Sequence, residues 1–238
     1  METTAIPYEA DGREMIGTLV VPDGTGLRPA VLVAHEGGGL DEHARTMASR
    51  LAELGYVAFA LDYYGGGEPL PDRDAINERL SGIIGDVDRA RALGRAGLAV
   101  LLGSERVDRE RVAAIGFCFG GTMVLELARS GADLKAVVGF HSGLGTRRPE
   151  DASNITAKVL VCIGSEDPLI SPDERAAFEA EMRAGGVDWR MNLYGGAAHS
   201  FSNPNAHRAG FAGIAYHEPT AMRSWRGMLD LFDEVFPA

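Results

Sequence analysis

The tightest constraint on this chain is a six-residue stretch. Residues 116–121 read Gly-Phe-Cys-Phe-Gly-Gly, with an apolar run over 111–117 and a helical pattern over 120–130. A strand that turns into a helix through one residue bends so sharply that the corner residue, Cys118, takes a strained backbone conformation. Glycines flanking it avoid collision with the neighbouring chain. This is the G-x-S-x-G corner with cysteine in place of serine. At the start of a helix, the sulfur feels the partial positive charge of the free N–H groups, which favours thiolate.

The rest of the chain supplies the setting. Short β-branched or apolar runs alternate with longer stretches of helical spacing, the pattern of an α/β fold whose mainly parallel sheet is covered by helices on both faces. Residues 3–8 and 14–21 flank Ala10-Asp11-Gly12 and predict an antiparallel hairpin at the sheet edge. Strands are expected at 30–35, 56–61, 111–117, 135–140, 157–163 and 188–194, and helices at 41–54, 120–130, 172–184 and 219–236. Residues 63–74, rich in Gly and Pro, predict an irregular loop, followed over 75–102 by helical segments broken near Gly82 or Gly85. With 45% apolar residues, one domain over 1–238 is expected.

The 34 acidic and 23 basic residues give a net charge of -11 and a pI near 5.0, a field that repels polyanions and argues against a nucleic-acid partner. Residues 1–12 carry Glu2, Glu9 and Asp11 and hold no apolar core of the length a secretory signal needs. Apolar runs elsewhere are too short to span a bilayer. The expectation is therefore a cytoplasmic protein with no membrane partner. Cys118 and Cys162 are too few for a disulfide framework and are read as free thiols, Cys162 as core within the apolar run 159–163.

A nucleophile at such a corner is followed along the chain by an acid and then a histidine, each at the end of a later strand. Asp167 and His199 occupy those places. His199 would pair with the Cys118 thiol and later activate water, while Asp167 holds the tautomer of the imidazole. Glu166 is the nearest substitute acid. His43, His207 and His217 read as surface or packing residues, whereas His141 ends a strand and is a candidate pocket residue. His35-Glu36-Gly37-Gly38-Gly39 has the form of an HGGG-type oxyanion loop, so the hole is assigned to the backbone N–H groups of Gly37 and Phe119. Two rivals fail on spacing. A zinc-binding H-E-x-x-H helix would need a histidine at Gly39, and a dinucleotide loop with Asp62 on the ribose would need G-x-G-x-x-G. No metal and no cofactor is expected.

Together these motifs resemble the dienelactone hydrolase family, α/β-hydrolases with a cysteine nucleophile, over nearly the whole chain. The carrying segments are Gly-Phe-Cys-Phe-Gly-Gly at 116–121, Gly-Ser-Glu-Asp at 164–167, Ala-His-Ser-Phe at 198–201, and Glu36 after its strand. The resemblance implies an α/β-hydrolase fold and cofactor-free hydrolysis of a lactone or small carboxylic ester through an acyl-enzyme, with Cys118, Asp167 and His199 as triad. Glu36 matches an acidic residue that contacts the nucleophile in the family. A carboxylate there accepts the S–H bond or opposes a premature thiolate. One departure stands out. Members that act on anionic, muconolactone-like substrates carry an arginine shortly after the triad histidine, where this chain reads Ser200-Phe201-Ser202-Asn203-Pro204. Arg73 or Arg79 is the remaining candidate cation, and Tyr63, Tyr64, Phe119, His141 and Phe201 are expected to shape a small, partly aromatic pocket. Rival readings are a thioesterase or acyltransferase on the same triad and a non-catalytic small-molecule binder on this fold. Monomer and homodimer both stay open, and neither fold nor triad names the substrate.

Overall fold

The computed structural model describes residues 1–209 and 212–236, and the chain divides into two compact units, Met1–Ala114 and Ile115–Ala238. In the first unit, β1 (Glu2–Ala10) and β2 (Arg13–Val21) form the expected antiparallel hairpin. Its two-residue turn, Asp11-Gly12, has φ of 52° and 67°, the left-handed pair that a tight hairpin turn matched to strand twist requires. β2 then pairs antiparallel with β4 (Val57–Leu61), and β4 pairs parallel with β3 (Arg28–Ala34). The order β1-β2-β4-β3 leaves the hairpin at the edge, as its alternating burial already suggests. Gly17 is required here because a Cβ would lie 2.2 Å from the ring of Phe59.

Helix α1 (Glu42–Glu53) links β3 to β4, with Asp41 accepting from the Ala44 N–H at 3.1 Å as its cap. The break foreseen near Gly82 or Gly85 falls at Gly85, where α2 (Arg73–Ile84) ends; Asp86 then starts α3 (Val87–Leu102) by capping Arg89 N–H at 3.0 Å. The loop after β4 is organised by the buried Asp62. Its carboxylate accepts from the N–H groups of Ile16 (3.1 Å), Tyr64 (2.9 Å), Gly65 (2.9 Å) and Gly67 (2.8 Å). Asp62 is thus a backbone anchor, which agrees with the rejection of a ribose-binding role.

Strand β5 (Val107–Phe117) leads from the first unit into the second and starts before the expected 111, because the polar run Asp108-Arg109-Glu110 conceals a strand from hydropathy alone. The second unit continues with α4 (Phe119–Arg129), β6 (Ala136–Phe140), β7 (Lys158–Gly164), α5 (Pro172–Ala184), β8 (Trp189–Tyr194) and α6 (Glu218–Val235). Its strand order is β5-β6-β7-β8, with β6–β7 and β7–β8 parallel. Within its core the rings of Phe117 and Phe140 stack at 4.9 Å. The guanidinium of Arg129, fully buried, binds Glu181 at 2.7 and 2.9 Å, Glu126 at 3.0 Å and the Leu144 carbonyl at 2.8 Å. Among the described residues no helix is long and apolar enough to cross a membrane.

Candidate active site

Cys118 stands where the sequence places it, between the end of β5 and the start of α4, with φ 52° and ψ -121°. Such a conformation costs a non-glycine residue roughly 1–3 kcal/mol and persists only where its surroundings dictate it. Two glycines make the corner possible. A Cβ on Gly116 would lie 2.1 Å from the Gly120 carbonyl oxygen, and one on Gly121 would lie 2.2 Å from Ser142 Cβ. The corner is also tied down, since the Cys118 N–H donates to the Phe140 carbonyl at 3.0 Å and to His141 Nδ1 at 3.1 Å. The thiol is partly exposed, unlike that of Cys162, which is fully buried and whose pKa is pushed up to about 12 by burial. Cys162 is core, as its apolar neighbours suggest.

The loops after β7 and β8 bring the other two candidates together. Ser165 N–H bonds the Tyr194 carbonyl and Glu166 N–H the Ala197 carbonyl, each at 2.9 Å, so the two loops travel as a pair. Gly164 permits this approach, because a Cβ there would sit 2.2 Å from the Ala197 oxygen. The result is a bond of 2.7 Å between His199 Nδ1 and Asp167 Oδ2, both residues being buried. The other oxygen of Asp167 accepts from Leu169 N–H at 2.9 Å, which fixes the carboxylate. Glu166 is exposed and bonds Ser165, so it does not serve as the acid facing His199. Burial is the largest influence on His199 and opposes its charge, yet the bond to Asp167 and the nearby Cys118 outweigh it and raise the pKa to about 10. With Nδ1 committed to Asp167, the buried Nε2 makes no hydrogen bond of good geometry within the described residues. It is the nitrogen left to meet the thiol or a substrate.

His141 and Phe201 also belong to this cluster, although both are fully buried. The His141 ring meets those of His199 and Phe201 edge-on, at 5.2 and 5.0 Å between centroids, and its Nε2 lies 2.8 Å from Ser202 Oγ. Ser202 carried no sequence signal beyond its closeness to His199. Phe119 is the first residue of α4. Four described non-glycine residues have positive φ: Asp11 in the hairpin turn, and Cys118, His141 and Ser200 here. Backbone strain is thus concentrated at the candidate triad. Asn203, where an arginine was sought, is a buried turn residue whose side chain accepts from Asn205 N–H at 2.9 Å.

In the first unit, Gly37 lies in the turn after β3, Glu36 is half-buried, and His35 is fully buried with its ring stacked on Tyr63 at 3.7 Å. Burial drives the His35 pKa down to about 4, so it stays neutral and structural. Tyr63, Tyr64 and Arg79 share one cavity of about 210 Å³, together with Arg13, Arg89 and Glu78. Arg73 is exposed at the start of α2 and does not line that cavity.

Comparison with known proteins bears on the family and the fold. A model of the dienelactone hydrolase family matches residues 15–236. A solved structure named m3DLH is 47% identical, covers 99% of this chain and 98% of its own, and superposes with a TM-score of 0.95. A second, from metagenomic libraries and described as a dienelactone hydrolase-like promiscuous phosphotriesterase, P91, is 38% identical with 98% of both chains covered and a TM-score of 0.94. A relative from Salmonella typhimurium named "Putative carboxymethylenebutenolidase" is 30% identical over 96% of this chain and 85% of its own length.

Proposed function

We propose that this chain, which belongs to the dienelactone hydrolase family, hydrolyses a lactone or small carboxylic ester through a thioester on Cys118. The observation that carries this reading is the His199–Asp167 bond, with an imidazole whose charged form is favoured by both Asp167 and Cys118. An imidazolium near a thiol favours the thiolate form, and thiolate is the nucleophile. The sulfur attacks the carbonyl carbon, and the oxyanion is stabilised by the backbone N–H groups of Gly37 and Phe119. The C–O bond then breaks, the alkoxide leaving group takes the Nε2 proton of His199, and the acyl group remains on sulfur. Neutral His199 next removes a proton from water as the water attacks the thioester, and thiolate departs with the imidazolium restored. Loss of one oxyanion donor in such a site costs on the order of 10²- to 10³-fold in rate.

Glu36 is the acidic residue we place beside the nucleophile, and Tyr63, Tyr64 and Arg79 are our candidate substrate contacts, although the cavity they share is lined by none of Cys118, Asp167 and His199. His141 and Phe201, being fully buried, support the wall of the site from behind. The family match runs through both compact units, which supports reading 1–238 as one domain. A second reading is a phosphotriester, with phosphorus taking the place of the carbonyl carbon; the likeness to P91 at 38% identity favours it. The deciding experiment is a panel of lactones, short-chain esters, thioesters and an aryl phosphotriester, assayed with wild type and Cys118→Ala. Lactone or ester turnover that vanishes in the variant is the expected result. Equal turnover by both proteins would remove Cys118 from the mechanism, and acyl transfer to an added thiol in preference to water would make the protein an acyltransferase.

A further inference from the structure

We infer that His141, as the neutral Nε2–H tautomer, is a positioning residue that ties the Cys118 corner to the loop carrying His199. The inference rests on the reading of Cys118 as nucleophile and adds to it a residue that never touches substrate.

The tautomer follows from the partners. Cys118 N–H is a donor, so His141 Nδ1, 3.1 Å away, must be the acceptor and carries no proton. The ring proton therefore sits on Nε2 and is donated to Ser202 Oγ at 2.8 Å. One ring thus bridges the backbone of the nucleophile and a residue three positions after the candidate base. The His141 backbone is itself anchored, its N–H bonding the Cys162 carbonyl at 2.8 Å at the end of β7. It holds φ 42° while Cys118 holds φ 52°. Two residues in left-handed backbone that brace each other through a hydrogen bond form the kind of over-determined local structure that keeps a strained conformation in place.

Full burial removes His141 from direct substrate contact, and its edge-on approach to His199 places it behind the base. The titratable groups facing it are Cys118 at the start of α4 and His199, with Asp167 behind it, from the loops after β8 and β7; from β7 it meets only the Cys162 backbone carbonyl. Since His199 is charged in the working state, a second imidazolium at His141 would oppose both it and the Cys118 N–H. A neutral ring that accepts at Nδ1 meets both demands.

The test uses variants that separate acceptor, bridge and bulk. His141→Leu keeps apolar volume and removes both hydrogen bonds. His141→Asn can restore an acceptor near the Nδ1 position, and asparagine tolerates positive φ. Ser202→Ala leaves the ring and removes only its acceptor. Each is assayed for kcat and KM on the best ester of the panel, and for the pH dependence of Cys118 alkylation by iodoacetamide, Cys162 being too buried to compete. A misplaced reacting group can cost about 100-fold. The expected result is a 10- to 100-fold loss of kcat in His141→Leu with KM within about twofold, a displaced alkylation profile, and recovery to within about threefold in His141→Asn. If His141→Leu does not fold, Ser202→Ala decides, with lowered kcat at unchanged KM expected. Wild-type kcat and alkylation in His141→Leu, or in Ser202→Ala where it is the deciding variant, would overturn the inference, as would an Asn variant as impaired as the Leu variant. Failure of the nucleophile reading looks different: Cys118→Ala would keep activity whatever happens at His141.

Discussion

Replacing Asp167 by asparagine keeps the shape of the site and removes one charge, which makes its consequences calculable. The carboxylate oxygen lies 2.7 Å from His199 Nδ1, and both residues are buried. Taking the two charge centres as about 4 Å apart at an effective dielectric of about 20, the attraction is about 4 kcal/mol. At 1.36 kcal/mol per pKa unit this is about three units. Without it the imidazole pKa falls from about 10 to about 7. At pH 7 about half of the imidazolium is then lost. Asparagine can also turn its NH₂ toward Nδ1 and select the wrong tautomer, an exchange that costs roughly 10⁴-fold in a serine-based triad. We predict that Asp167→Asn lowers kcat/KM by about 10³- to 10⁴-fold and shifts the histidine titration, followed by NMR of ¹⁵N-labelled imidazole, by about three units. A His199 pKa within one unit of wild type would refute the electrostatic reasoning, whatever the activity.

Other predictions follow from the same contacts. Because the folded-state pKa of His199 lies above its unfolded value, its ionisation stabilises the fold fully below about pH 6.5, and that contribution is lost as pH rises through about 10; urea titrations of wild type and His199→Gln should converge over that window. Asp62→Ala, which strands four backbone N–H groups of the loop after β4, should destabilise by about 3 kcal/mol and speed amide exchange at Tyr64, Gly65 and Gly67. Arg129→Met leaves Glu126 and Glu181 buried without their cation and should cost about 3–5 kcal/mol in denaturant unfolding, partly recovered by adding Glu181→Gln. Burial already holds the Glu181 pKa above its usual value, so the loss in Arg129→Met should be smaller at acid pH.

How much of this was legible in the chain depends on how local each signal is. The corner at Cys118 is written in six consecutive residues. Helix α5 likewise spans the expected 172–184, with Ser171 capping the Glu174 N–H at 3.1 Å. The order of nucleophile, acid and histidine could be read because each follows a recognisable strand. What hydropathy hides is polar regular structure: the charged start of β5, and the 3-10 turn Pro149–Asn154 between β6 and β7. The reason for Gly121 was equally hidden, since its neighbour Ser142 is distant in sequence. His141 shows the limit most clearly. Its place at a strand end made it a pocket candidate, but its partners, Cys118 N–H and Ser202 Oγ, lie 23 and 61 positions away and are joined only by the fold.

The central claim is a covalent thioester on one sulfur. Rapid quenching in acid after mixing with an activated ester, followed by peptide mass spectrometry, tests it directly. The account predicts an acyl adduct on the Cys118 peptide that forms within the first turnover, decays as product appears, and is absent from Cys162. Full turnover with no adduct at Cys118 at any time, in a protein whose Cys118→Ala variant is equally active, would contradict it.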